Sequence, residues 1–448
     1  MHRQKTTLQA IGRMLGRLRH AGVLLLALST ISPVAHAQLV IEITRGQANA
    51  TPIAVVPFGL PSAAPLPTDI AEVVANDLAR SGRFAPLDRR DMIDKPTDGA
   101  GIRFQDWKYL KSDYIAVGKV LADGADYAVQ FELYNVFNGQ RLLGQRIASS
   151  STQLRATAHR IADMIYRQIT GSPGAFSTRI AFLRVEGAAP NSQYKLVVAD
   201  ADGYNEQVVA TSADPIMSPA WSPDGKSLAY VSFEKKRPAI YVQTLATGER
   251  RLVSARSGLN NSPAWSPNGK MLALTLSRKD GDVDVYTLDL ATQVLTRMTF
   301  DPGIDTEPVW SNDGKHIYFT SDRSGSPQIY ELTVADPRTP RRVTFDGTYN
   351  ARPRVSPDGK YLAAVHLDNG NFRIATVDLA SGAVTVLSQG HQDESPSFAP
   401  NGSTIIYATQ EGGRGVLATV SIDGGVTQRL AASAGDVREP VWSPFADR

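Results

Sequence analysis

At six places in the second half of the chain a variable, mostly polar triplet stands immediately before a proline. The triplets are Ile216-Met217-Ser218, Asn260-Asn261-Ser262, Asp305-Thr306-Glu307, Asn350-Ala351-Arg352, Asp393-Glu394-Ser395 and Val437-Arg438-Glu439. Residues of these types support two chemistries. Converging carboxylates hold a hard cation such as Ca²⁺, and Asp305, Glu307, Asp393 and Glu394 are the four that could converge. A polar set that varies on a constant frame instead recognises another protein. The mixture of acids, amides and the two arginines Arg352 and Arg438 favours the second.

Covalent and acid–base catalysis have little to work with. The motifs G-x-S-x-G, H-E-x-x-H, the P-loop and G-x-G-x-x-G are all absent, and there is no cysteine. Four histidines follow residue 37: His159, His316, His366 and His391. They are scattered, and His159 reads as a packed or surface residue of a helix. Asp200-Ala-Asp202-Gly-Tyr-Asn205 resembles the start of a Ca²⁺ loop, but position 211 is Thr where such a loop carries its bidentate Glu. A hairpin turn explains that segment better.

The triplets are positioned by a repeat. PAWSPDGK at Pro219 recurs as PAWSPNGK at Pro263, PVWSNDGK at Pro308, PRVSPDGK at Pro353, PSFAPNGS at Pro396 and PVWSPFAD at Pro440. A period of 43 to 45 residues with β-branched and aromatic runs between the strings marks four-stranded units. The Asp-Gly and Asn-Gly pairs are hairpin turns that need φ > 0. Five copies are followed by three more strands, and the sixth is followed by almost nothing. The three missing strands lie upstream, as RIAFLRV (179–185), YKLVVAD (194–200) and EQVVATS (206–212). A split repeat closes a ring, whereas an open solenoid would need capping units. The expectation is an all-β six-bladed β-propeller over 179–448, its ring closed by the C-terminal strand. Trp221, Trp265, Trp310 and Trp442 share one slot with Val355 and Phe398, and should pack blade on blade.

The first part of the chain lacks this period. IAVVPF (53–58) reads as a buried strand. Asp69 and Glu72 cap a helix whose face is Ile70, Val73, Val74 and Leu78. Strand Tyr114–Leu121, a hairpin around Asn138-Gly139, and a helix over Thr152–Thr170 stopped by Gly171 complete a small α/β domain. The organisation expected is a signal peptide (1–37), an N-terminal arm (38–51), the α/β domain (52–170), a linker (171–178) and the propeller.

The leader rests on five basic residues without an acid, the apolar run AGVLLLAL and Ala35-His36-Ala37 before Gln38. Without it, 42 Lys+Arg stand against 44 Asp+Glu, a net charge of −2, so nothing supports nucleic-acid binding. No later stretch has 18 apolar residues in a row, and no cysteine is available for lipidation. These features predict a free periplasmic or secreted protein.

The chain resembles the TolB family, the periplasmic propeller proteins of the Tol–Pal system of Gram-negative bacteria. The likeness is carried by QLVIEITRG, IAVVPF, DLARSGRFAPLDR, SPGAFSTRIAF, DADGYNEQ and MSPAWSPDGKSLAYVSFE. It implies a non-enzymatic, monomeric adaptor without a required cofactor, reaching the membrane only through its partners. It implies docking of the lipoprotein Pal over the channel mouth, and binding of the TolA C-terminal domain by the arm, here Gln38, Leu39, Val40, Ile41, Glu42, Ile43, Thr44 and Arg45. Some bacteriocins use the same propeller face. The Pal contact is expected at Asn260, Asn261, Ser262, Asp305, Thr306 and Glu307, with Arg352, Asp393, Glu394, Arg438 and Glu439 completing the face. The competing reading is a lactonase-like, Ca²⁺-dependent hydrolase with its site on the channel axis.

Overall fold

The computed structural model describes residues 50–60, 62, 66–188, 190–277, 281–430 and 435–446. The expected leader and the arm residues Gln38 to Arg45 lie outside the described residues.

The first region is a five-stranded sheet in the order Phe84–Pro86, Thr51–Val55, Tyr114–Asp123, Asp126–Asn135, Arg141–Ser149. Thr51–Val55 pairs parallel with both neighbours, and the remaining pairs are antiparallel. Both faces are covered, which is why IAVVPF has no polar alternation. Ile53 and Val55 pack on helices α1 (Ile70–Arg80) and α3 (Leu154–Thr170). Ala54 and Val56 pack on the opposite side with fully buried Trp107 of α2 (Phe104–Tyr109), a short helix that sequence reading did not foresee. Asp69 caps α1, accepting from the Glu72 N–H at 3.0 Å, and Gly171 ends α3 at φ 78°. The strand runs Thr51–Val55, starting two residues before IAVVPF and ending short of Pro57, which has no N–H to donate.

Six four-stranded sheets follow. Their innermost strands are Asp436–Trp442, Ile216–Trp221, Asn260–Trp265, Asp305–Trp310, Asn350–Val355 and Glu394–Phe398, belonging to blades 1 to 6 in that order. Asp436–Trp442 pairs antiparallel with Arg179–Glu186, so the C-terminal strand completes blade 1 as the split repeat requires. The tryptophan slot is a blade-to-blade rivet. Nε1 of Trp221, Trp265 and Trp310 donates to the carbonyls of Val441, Ala220 and Ala264 in the preceding blade, at 3.1 to 3.2 Å. Trp442 Nε1 donates to Thr178 Oγ1 at 2.8 Å. The turn after five of the six innermost strands places Gly225, Gly269, Gly314, Gly359 or Gly402 at φ 66° to 73°, where a side chain would be strained.

Residues 171–178 are pinned between the two regions. Asp163 of α3 accepts from the N–H groups of Phe176 (2.8 Å) and Ser177 (3.1 Å), and the Phe176 ring packs edge-on against Tyr166 at 5.6 Å.

Candidate functional site

One geometrical feature organises the channel. The residue before each repeat proline has a positive φ: Ser218 51°, Ser262 47°, Glu307 56°, Arg352 55°, Ser395 56° and Glu439 48°. None is glycine, and a following proline disfavours helical conformations, so each is strained. The pairing register slips at this point in all six blades. A bulge of this kind re-aims a side chain. Here it turns six side chains into one ring, lining a channel cavity of about 320 Å³.

Hydrogen bonds join neighbouring members over two arcs of the ring. Glu307 Oε1 accepts from Arg352 Nε at 2.8 Å, and its Oε2 accepts from the Arg352 N–H and Thr320 Oγ1, both at 3.0 Å. Arg352 also bonds Ser395 Oγ and stands 3.8 Å from Glu394. Burial opposes the Arg352 charge, but Glu307, Glu439 and Glu394 outweigh it and hold the guanidinium above its usual range. Glu439 Oε2 accepts from the Ser218 N–H at 2.6 Å, and Ser218 Oγ donates to Asn261 Oδ1 at 3.0 Å. Burial pushes the Glu439 carboxyl upward, against the pull of Arg352 and that N–H.

The eleven residues expected on the mouth separate into two groups. Asn261, Ser262, Thr306, Glu307, Arg352 and Glu439 line the channel cavity. Arg352 and Glu307 also line a neighbouring cavity of about 500 Å³ with Glu394 and Arg438, beside Tyr349 and Phe372. Glu394 and Arg438 are exposed. Asn260, Asp305 and Asp393 are instead fully buried. Each opens its triplet and ties the preceding loop. Asn260 accepts from Ser254 Oγ (2.7 Å) and the Arg256 N–H (3.0 Å), Asp305 is paired with Arg323 at 2.8 Å, and Asp393 accepts from Ser388 and the Gly390 N–H. Their side chains support the mouth from behind. The four carboxylates considered for Ca²⁺ therefore do not converge: Asp305 is engaged by Arg323 and Glu307 by Arg352.

Among the described residues, metal-ligand spacing occurs in one group, Asp77, His159 and Asp202. It lies between the α/β region and the propeller. His159 Nδ1 is 2.6 Å from Asp77 of α1, and Nε2 is 3.7 Å from Asp202, in the turn after strand Gln193–Asp200. Arg155 bonds Asp202 and Arg80 lies 3.0 Å from Asp77. Asp77 and Asp202 of this group are thus already paired with arginines. Burial works against the imidazolium, yet Asp77 and Asp202 keep the His159 pKa above its usual 6.5. Sequence reading missed this clasp. The signal was Asp200-x-Asp202, which a turn explains equally well.

Fold and site together define a closed six-bladed propeller, carrying an α/β domain, with a strained polar ring at its channel. Family models point the same way: a TolB amino-terminal domain model matches residues 39–142, and a TolB beta propeller domain model matches 166–446. The chain is 54% identical over 415 residues to the Tol-Pal system protein TolB of Nitrosococcus oceani, covering 92% of this chain and 95% of that one. It is 48% identical over 434 residues to that of Xanthomonas oryzae pv. oryzae, covering 96% and 98%. The crystal structure of TolB from Acinetobacter baumannii superposes with a TM-score of 0.84 at 41% identity, covering 91% of this chain and all of that one. The chain belongs to the TolB family.

Proposed function

We propose that the protein is a non-enzymatic periplasmic adaptor of the Tol–Pal system. It docks Pal on the propeller mouth and engages the TolA C-terminal domain through Gln38–Arg45, in support of outer-membrane integrity and constriction during division. Bacteriocins that exploit this system would bind the same propeller face. The observation that carries the reading is the ring of six bulged residues. It keeps one backbone geometry in every blade while its side chains are three serines, two glutamates and an arginine. Strain maintained at six equivalent positions, with the chemistry varied blade by blade, suits recognition of an asymmetric partner. The accessible contact set is Asn261, Ser262, Thr306, Glu307, Arg352, Glu394, Arg438 and Glu439.

Titration calorimetry of the mature protein with the soluble domain of Pal from the same organism tests this. Thr306→Arg, which places a long cation in the mouth, should weaken binding at least tenfold with the melting midpoint unchanged. Absence of binding by the unsubstituted protein would sink the assignment of Pal. Deleting residues 38–49 should abolish TolA binding and leave the mouth competent for Pal.

A further inference from the structure

Two residues further along each inner strand than the strained ring lies a second ring, formed by the residue after each repeat proline: Ala220, Ala264, Val309, Arg354, Ser397 and Val441. All six line the same cavity of about 320 Å³. This layer follows Arg352 and Glu307 along the inner strands, just past the bulge. Five of its members are small and uncharged, and the sixth is a guanidinium.

Arg354 is not neutralised by contact. It forms no ion pair among the described residues, and its one hydrogen bond runs from Nη1 to the carbonyl of Pro353 at 2.8 Å. The acids that could serve it are engaged elsewhere, Glu307 by Arg352 and Glu439 by the Ser218 N–H. Burial works against its charge more strongly than Glu307 and Glu439 support it. A guanidinium has five N–H donors and stays charged, so most of its donors have no protein acceptor among the described residues, and the side chain lines the channel cavity.

The geometry points to a carboxylate-binding site at Arg354 inside the propeller channel. The planar fork fits a carboxylate in two-point fashion. A phosphate dianion is disfavoured, because Glu307 and Glu439 stand in the ring above. Ala220, Ala264 and Val309 offer apolar walls to a short stem. The ligand is therefore a monoanionic carboxyl group on a short aliphatic chain, supplied by a free acid or by an acidic side chain of a docked protein. The site stands whether or not the mouth receives Pal.

Propionate tests it, with propionamide as the neutral isostere and inorganic phosphate as the anionic control. The readout is intrinsic tryptophan fluorescence, since Trp221, Trp265 and Trp442 line the cavity. The unsubstituted protein should give a saturable response to propionate and none to propionamide. Arg354→Gln should weaken the propionate response at least tenfold, and Arg354→Lys should retain part of it. Equal responses to propionate and propionamide, or an Arg354→Gln protein that titrates like the parent, would overturn the proposal. Circular dichroism checks the variant's fold, and if it does not fold the two isosteres decide the question on the parent alone. Competition between propionate and the Pal domain assigns the site to a partner's acidic side chain. Undisturbed Pal binding assigns it to a free acid, and absence of Pal binding leaves the propionate result to stand by itself.

Discussion

His159 shows how much one side chain can hold. Its ring touches Asp77 from α1 and faces Asp200 and Asp202 from the propeller, with Arg80 and Arg155 completing the cluster. Removing one partner from a buried ion group leaves the others unpaired, so His159→Ala should lower stability by about 3 kcal/mol in urea unfolding. The pH dependence has a definite sign. A histidine whose folded-state pKa is raised binds its proton more tightly when folded than unfolded. Its contribution is complete below about pH 6.5 and is lost as pH rises through the folded value. The melting midpoint of the parent should therefore fall, as pH rises above about 6.5, more steeply than that of His159→Gln. Matching slopes would remove His159 from the clasp.

At the scale of elements, the bulge before each repeat proline is the testable device. Ser262 donates only its N–H to Asn261 Oδ1, at 2.8 Å, so its side chain can be changed with little else disturbed. Ser262→Gly removes the left-handed strain and should be as stable as the parent or up to about 1 kcal/mol better, the relief being offset by glycine's greater freedom when unfolded. Ser262→Val adds a branched Cβ at φ 47° and should lose about 2 kcal/mol. Thermal melts of the pair check this, and a valine protein as stable as the glycine one would mean the bulge is not strained. Blades were legible from sequence because their signals are local: the Asp-Gly turn, the aromatic slot and the period all sit within one repeat. The bulge was not, since a residue before proline is expected to be extended. Nor was the burial of Asn260, Asp305 and Asp393. Their types suit a polar surface, and only the loops folded behind them, with Arg323 and Ser388 as partners, show otherwise. The His159 clasp joins residues 82 positions apart and leaves no local trace.

For the whole molecule, the decisive interaction is ring closure. Blade 1 takes its inner strand from Asp436–Trp442 and its other three from residues 179–212, so the two ends of the propeller are one sheet. That seam also receives the α/β region. Trp442 Nε1 reaches Thr178, Ser443 Oγ accepts from the Arg179 N–H at 3.0 Å, and Asn401 of blade 6 donates to the Pro173 carbonyl at 3.0 Å. Closing the ring and docking the first domain thus share the contacts of this seam, with the His159 cluster as a second docking contact. Truncation before Asp436 should then expose two strand edges and release the 171–178 segment together, giving an aggregating protein without a cooperative transition. Trp442→Phe is the graded version. It keeps an aromatic in the slot, as Phe398 does in blade 6, and removes only the bond to Thr178. It should lower stability by about 1 kcal/mol. If closure and docking are coupled, that loss appears in hydrogen exchange both at residues 179–186 and in α3. Loss confined to residues 179–186 would mean that the α/β region is held by the His159 cluster independently of the seam.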